Sequence, residues 1–180
     1  MPTNYLLCHA ASDENDAAYG GHKGDNKGFE LNATKWYNPS TEWGVVYRHT
    51  DANVREEIAS FMEKAVINGF IGYSTNRNQR DTLFSQLELV DFNIGKVITP
   101  CSADCSSLVY CAIYKALGIK FEESTEESTI LCPRTGYYPG YIDKCGGFEK
   151  FETAEYLTSD KLLKRGDILL SFNEHIAVWT

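Results

Sequence analysis

The stretch Ser102-Ala103-Asp104-Cys105-Ser106-Ser107-Leu108-Val109 places a cysteine at the start of a predicted helix. Farther along the chain, Gly166-Asp167-Ile168-Leu169-Leu170 and His175-Ile176-Ala177-Val178 place a histidine at the start of a predicted strand. A thiol and an imidazole within hydrogen-bond reach are the nucleophile and the base of thiol catalysis. The segments therefore predict a catalytic pair.

The helix prediction covers Cys105 to Leu117, a run of good helix formers without Gly or Pro that stops at Gly118. Asp104 is then the expected N-cap, and the thiol lies in the first turn. Unpaired backbone N–H groups and the positive end of the helix dipole favour thiolate there. We therefore expect Cys105 to be activated by its position.

The histidine follows a short apolar run and a tight polar connection, and apolar residues alternate after it. This pattern predicts a β-hairpin with His175 at the start of its second strand. The imidazole would take the thiol proton, or hold a thiolate–imidazolium pair, and later protonate a leaving amine.

These motifs resemble those of the NlpC-type, papain-like cell-wall cysteine peptidases, in which D-C-S-G-L-V carries the nucleophile and later G-D and H blocks carry the base. Position 107 is Ser where that motif has Gly. The N-terminal half resembles phage and prophage peptidoglycan hydrolases (endolysins) of Gram-positive hosts, and the segments that carry this likeness include Asp13-Glu14-Asn15, Gly20-Gly21-His22-Lys23-Gly24-Asp25, Trp36-Tyr37-Asn38, Val54-Arg55, Ile71-Gly72-Tyr73 and Gln79-Arg80.

The resemblance implies a papain-like α+β fold, with N-terminal helices, including the nucleophile helix, packed on a small antiparallel sheet. It implies hydrolysis of an amide bond in the peptidoglycan stem peptide, with backbone N–H groups at the helix start holding the oxyanion. It also implies that Asp104 and Ser106 contact the substrate. Further candidate cleft residues are Glu14, Tyr73 and Tyr137.

The family's third polar residue, which orients the histidine, usually lies about a dozen residues beyond it, whereas this sequence stops at Thr180. Three possibilities follow: a chain that continues, an orienting group from elsewhere in the chain, or a Cys–His dyad. His9, His22 and His49 lack motif context, and such histidines are more often structural or solvated.

Length and composition indicate one catalytic domain over 1–180, with cleft loops and two helices in 1–100 and the two motifs in 101–180. A net charge of −8 argues against nucleic-acid binding. No apolar run is long enough to span a membrane, and the N-terminus lacks a basic signal-peptide region. We expect synthesis in the cytoplasm, action on the wall after release, peptidoglycan as partner and no cofactor; the oligomeric state is not indicated.

The sequence also leaves other functional interpretations open. A zinc site at Cys101 and Cys105 would have a weak ligand pattern, and a calcium site in the acidic loop at 13–26 would lack EF-hand spacing. An acyltransferase would use the same pair, and a catalytically inactive wall-binding or phage structural module would use neither residue. Reduced thiols are expected throughout, with Cys111 as a core residue.

The remaining elements are predicted from local patterns. Asn4–Ala10 is expected to be a strand. Asn53 and Glu56 suggest a capping box for a helix that ends at Asn68-Gly69, and a second helix is expected from about Asn78 to Leu89.

Overall fold

The two ends of the chain pair with each other in the centre of the main sheet. A computed structural model describes residues 5–12, 23, 24, 26, 30–122, 124, 125, 128, 129 and 131–180. Its strands are β1 (Leu7–Ala10), β2 (Leu31–Thr34), β3 (Val45–His49), β4 (Ile71–Tyr73), β5 (Cys101–Ala103), β6 (Ser124–Thr125), β7 (Ser128–Thr129), β8 (Phe148–Phe151), β9 (Ile168–Ser171) and β10 (His175–Trp179). Its α-helices are α1 (Ala52–Val66), α2 (Thr82–Glu88), α3 (Cys105–Leu117), α4 (Tyr138–Cys145) and α5 (Ala154–Leu157).

Six strands form an antiparallel sheet in the order β2-β1-β10-β9-β3-β8. The first and last strands are in register, with Cys8 opposite Val178. Beyond the strands, Leu6 and Thr180 exchange two backbone hydrogen bonds of 3.1 and 2.8 Å. The N-terminal strand therefore lies directly beside the strand that carries His175.

The two faces of the sheet pack against different layers, because successive side chains in a strand point to opposite sides. Ile176 and Val178 belong to the larger core, which includes the buried faces of α1 and α3. Ala177 and Trp179 belong to a smaller cluster with Trp43 on the other face. By the same alternation, His175 lies on the face of Ala177.

The α+β class agrees with the sequence prediction, but the order of elements differs from the expected one. Half of the main sheet, β1 to β3, precedes the first helix. The sheet is therefore not a small unit that follows the helices. Strand β1 itself lies inside the predicted segment Asn4–Ala10.

Helix α3 begins and ends where the sequence predicts. Asp104 caps it in extended backbone, and its side chain accepts a hydrogen bond from the Ser107 N–H while the Ser107 hydroxyl receives the Asp104 N–H. Gly118 ends the helix in the left-handed conformation, with φ +69°. Local capping chemistry thus fixes the position of Cys105 along the chain.

The other two helix predictions need correction. Asp51, not Asn53, caps α1 by accepting a hydrogen bond from the Asn53 N–H at 2.8 Å. Helix α2 is shorter than predicted because the Asn76 side chain accepts a hydrogen bond from the Asn78 N–H, which holds this part of the chain in turns.

Among the described residues, no helix has the length and apolar character that a bilayer crossing requires.

The Gly166-Asp167 pair anchors the start of β9. Asp167 is fully buried and accepts two hydrogen bonds from the Arg48 guanidinium, at 2.7 and 2.6 Å. Gly166 has φ +84°, and a Cβ built on it would lie 2.3 Å from the backbone oxygen of Arg55. These contacts fix the start of the hairpin that carries His175.

Replacement of Gly166 by Ala should destabilise the fold by roughly 3 kcal/mol or more, because the left-handed backbone and the contact with Arg55 both disfavour a side chain. The control is Gly118→Ala. Gly118 has a similar φ, but among the described residues no atom lies within 4 Å of its built Cβ, so about 1 kcal/mol is expected. Urea unfolding measures the loss of unfolding free energy in both variants. Equal losses would show that the close approach to Arg55 does not contribute to the cost of the Gly166 substitution.

Candidate active site

The Cys105 thiol lies at the junction between the start of α3 and the strand that carries His175. It is 8% exposed. The backbone N–H groups of Ile176 and Ser106 point to its sulfur and favour the thiolate. Because Ile176 follows His175 directly, the structure brings the thiol beside the start of β10.

The charge state of this thiol differs from the sequence expectation. Burial, followed by the negative charge of Asp104, raises the pKa of Cys105 to about 12. These two effects outweigh the backbone N–H groups and the nearby Arg80 guanidinium, which act in the opposite direction. The resting thiol is therefore protonated at neutral pH.

Arg80 is buried near Cys105, and the sequence analysis did not assign it a role. Its guanidinium contacts Asp104 through Nε at 2.5 Å and Nη2 at 3.2 Å. Nη2 also donates to the Ser106 hydroxyl at 2.9 Å. The backbone oxygens of Cys132 and Pro133 each accept a hydrogen bond of 2.9 Å from Arg80. Arg80 therefore ties the start of α3 to the segment at 132–133.

The polar atoms of Asp104 and Ser106 are engaged within the protein. Asp104 accepts hydrogen bonds from Arg80, from the Ser107 N–H and from the Ser106 hydroxyl. The Ser106 carbonyl accepts a short hydrogen bond from the Tyr138 hydroxyl. These contacts favour a positioning role for both residues over the substrate contact that the resemblance implies.

His175 makes its closest polar contact with a histidine from the opposite end of the chain. Its Nε2 lies 2.9 Å from Nδ1 of His9 on β1. Because His9 contacts Nε2, Nδ1 of His175 is the ring nitrogen that this contact does not engage. His9 thus holds the His175 ring from a distant part of the chain. The sequence analysis had treated this residue as structural.

The neighbours of His9 extend this arrangement across the sheet. Asn32 on β2 is directly opposite His9, and its side-chain contact with the imidazole raises the pKa of His9. The Tyr37 ring also packs against His9, and the two ring centroids are 5.8 Å apart. Trp43 lies 6.1 Å from the His175 ring. The two imidazoles thus lie among side chains of three adjacent strands, β2, β1 and β10, and the aromatic rings of Tyr37 and Trp43.

Both imidazoles are neutral at pH 7. Burial lowers the pKa of His9 to about 4, against the smaller upward effect of Asn32. Burial, followed by repulsion from His9, lowers the pKa of His175 to about 3. A lowered pKa means a weaker base, so the His175 ring stays neutral as the pH falls well below 6.5.

The three candidate cleft residues differ in where they lie in the structure. Tyr73 is buried at the end of β4, and the charges of Cys105 and Asp104 add to the burial that raises the pKa of its phenol. Tyr73 therefore lies near Cys105. Tyr137 is exposed on the segment that precedes α4, and its ring lies 5.8 Å from that of Phe121. Glu14 lies outside the described residues.

The metal hypotheses gain no support from the side chains that the structure describes. Within that part of the chain, no three His, Cys, Asp or Glu residues are grouped to hold an ion. Cys101 is buried, and its thiol faces the backbone oxygen of Phe70 at 3.5 Å. The acidic residues of the loop at 13–25 lie outside the described residues.

Comparison with known proteins identifies the family. The model of the endolysin-like domain matches residues 7–180, which include both motifs and His9. This chain belongs to the endolysin-like domain family. Membership in this family suggests a phage lysin-type role and hints at cell-wall hydrolysis. No curated protein and no solved structure is significantly similar to the chain.

Removal of the Arg80 charge should destabilise this endolysin-like domain more than its loss of packing alone would. Arg80→Met leaves the Asp104 carboxylate buried without its partner, and breaking such a pair costs about 3–5 kcal/mol. Adding Asp104→Asn, which keeps a capping oxygen, should restore part of that loss. Urea unfolding of the two single variants and the double variant measures the coupling. A double variant no more stable than Arg80→Met would contradict this account of the ion pair.

Proposed function

We propose that this chain is a peptidoglycan hydrolase that cleaves an amide bond of the bacterial stem peptide with Cys105 as nucleophile and His175 as general base. The family match supports the lysin-type role. The observation that carries the mechanism is the 2.9 Å contact between His9 and His175, on the strand whose Ile176 N–H contacts the Cys105 sulfur. It supplies an orienting group for a base next to a cysteine at a helix N-terminus.

The first step begins from two neutral groups. The pKa of Cys105 is raised and the pKa of His175 is lowered, so a resting thiolate–imidazolium pair is disfavoured relative to thiol and imidazole. In the proposed step the thiol proton passes to Nδ1 of His175 only as the sulfur attacks the carbonyl carbon, because both pKa shifts oppose this transfer in the resting site. General-base transfer of this kind contributes about 10²–10⁴-fold to a rate.

His9 selects the tautomer that this step needs. For Nδ1 of His175 to accept a proton, the neutral ring must carry its hydrogen on Nε2. That hydrogen is donated to Nδ1 of His9 at 2.9 Å. His9 in turn carries its hydrogen on Nε2, on the side of its ring away from His175. The orienting residue of a triad acts in this way, by fixing tautomer and direction.

The later steps return the catalyst to its starting state. The carbonyl oxygen gains negative charge as the C–S bond forms, and backbone N–H groups at the start of α3, including that of Cys105, stabilise it. His175 then gives its proton to the leaving nitrogen as the C–N bond breaks. Water, deprotonated by His175, attacks the thioester, and the thiol leaves with a new carboxylate as product.

Variants of the two proposed catalytic residues should lose activity while the fold is retained. Cys105→Ala and His175→Ala should each reduce digestion of purified Gram-positive peptidoglycan by about 10⁴-fold or more. The matched control is Cys111→Ala on the same helix. Cys111 is fully buried in the core, so this change should cost about 1 kcal/mol of stability and leave digestion largely intact.

Mass spectrometry identifies the peptidoglycan fragments that each variant releases. Fragments formed only when Cys105 and His175 are present would identify the bond from its new termini. Wild-type digestion rates in Cys105→Ala would refute the proposed nucleophile. Absence of fragments from the wild type, with binding to the wall retained, would favour a catalytically inactive wall-binding module.

A further inference from the structure

We infer that Asn32 is a positioning residue whose carboxamide oxygen accepts the hydrogen on Nε2 of His9 and thereby fixes the tautomers of His9 and His175. The inference deepens the proposed function, on which it rests, because it names the residue that sets the hydrogen positions of the proposed base. In this role Asn32 acts on His175 only through His9.

The sheet places the Asn32 side chain beside the His9 imidazole. Strands β1 and β2 pair antiparallel, and Asn32 is directly opposite His9 in their register. Side chains of directly opposite residues lie on the same face of a sheet, with Cβ atoms about 4.5–5.5 Å apart. Nε2 of His9 and Oδ1 of Asn32 are both buried. The two polar groups therefore lie close together in a place that solvent does not reach.

The contact between the two histidines determines which nitrogen of His9 is available to Asn32. Nδ1 of His9 lies 2.9 Å from Nε2 of His175 and is engaged by that ring. Nε2 is the second ring nitrogen of His9, and a buried polar atom of this kind needs a hydrogen-bond partner. We therefore assign Nε2 of His9 as the atom that Asn32 contacts.

The direction in which Asn32 changes the pKa of His9 indicates which atom of the carboxamide faces the ring. The hydrogen bond with Asn32 raises the pKa of His9, against the larger effect of burial. An acceptor that faces a ring N–H stabilises the protonated imidazole, whereas a donor N–H would stabilise the neutral ring and lower the pKa. The Asn32 oxygen is therefore the acceptor, and His9 is the donor.

Two neutral imidazoles in contact can arrange their hydrogens in two ways. In the first arrangement, Nε2 of His175 donates to Nδ1 of His9, and Nδ1 of His175 is an unprotonated base. In the second, Nδ1 of His9 donates, and the hydrogen of His175 lies on Nδ1. The second arrangement leaves Nε2 of His9 without a hydrogen, so its lone pair would face the Asn32 oxygen. Since two acceptors repel each other, Asn32 selects the first arrangement, which general-base catalysis by Nδ1 requires.

The test is ¹⁵N NMR of the imidazole nitrogens at pH 7 in wild type and in Asn32→Leu, which removes the oxygen and keeps a side chain of similar size. In wild type both His9 and His175 should carry their hydrogen on Nε2. In Asn32→Leu the ratio of the first arrangement to the second should fall about three- to tenfold, as expected for the loss of one neutral hydrogen bond. The rate of peptidoglycan digestion should fall in proportion to the population of the first arrangement.

The matched control is Thr34→Val. Thr34 lies two positions after Asn32 on β2, so its side chain is on the same face of the sheet. Its hydroxyl oxygen is also buried, but the residue directly opposite is Leu7. Thr34→Val therefore removes a buried polar atom from the same strand without a change beside His9. The states of both rings and the digestion rate should remain as in wild type.

Several results would overturn the inference: a wild-type His9 ring that carries its hydrogen on Nδ1, unchanged rings in folded Asn32→Leu, or an equal change in Thr34→Val. The wild-type measurement decides the first of these without any variant, and thermal unfolding establishes that each variant is folded. The NMR signals do not depend on turnover. If the rings change as expected but wild type releases no fragments from peptidoglycan, the proposed function fails, while control of the tautomers by Asn32 is supported.

Discussion

The pairing of β1 with β10 is the interaction on which the candidate site depends. It joins the first and last segments of the chain, through the register of Cys8 with Val178 and the backbone bonds between Leu6 and Thr180. Without it, His9 would not reach His175. His9, on the N-terminal strand, is therefore the residue that contacts the His175 ring.

A second constraint acts on the other half of the site. Arg80 and Asp104 form a buried ion pair that holds the start of α3 and the segment that leads to Tyr137. The same burial makes the thiol and both imidazoles neutral. The Cys105 thiol and the His175 imidazole are thus neutral groups that the surrounding fold holds in place.

Local sequence signals predicted the parts of this structure that depend on local interactions. Asp104, Ser107 and Gly118 set the ends of α3, and the alternation after His175 gave the hairpin. The order of the sheet and the partner of His175 depend on contacts between distant segments, which periodicity does not encode. The Cys105 pKa differed from expectation because burial, a tertiary property, outweighed the helix terminus. Arg80 lay within a recognised segment, but only the fold shows its partners.

The most direct test of the account is the state of the His175 ring, measured by ¹⁵N NMR of the imidazole nitrogens in wild type and in His9→Leu. The account predicts a neutral ring in wild type with its hydrogen on Nε2, unchanged as the pH falls from 7 to 5, because the pKa is lowered to about 3. In His9→Leu the preference for this tautomer should be lost. A wild-type ring that carries its hydrogen on Nδ1, or that gains a second proton near pH 6.5, would contradict the proposed role of His9.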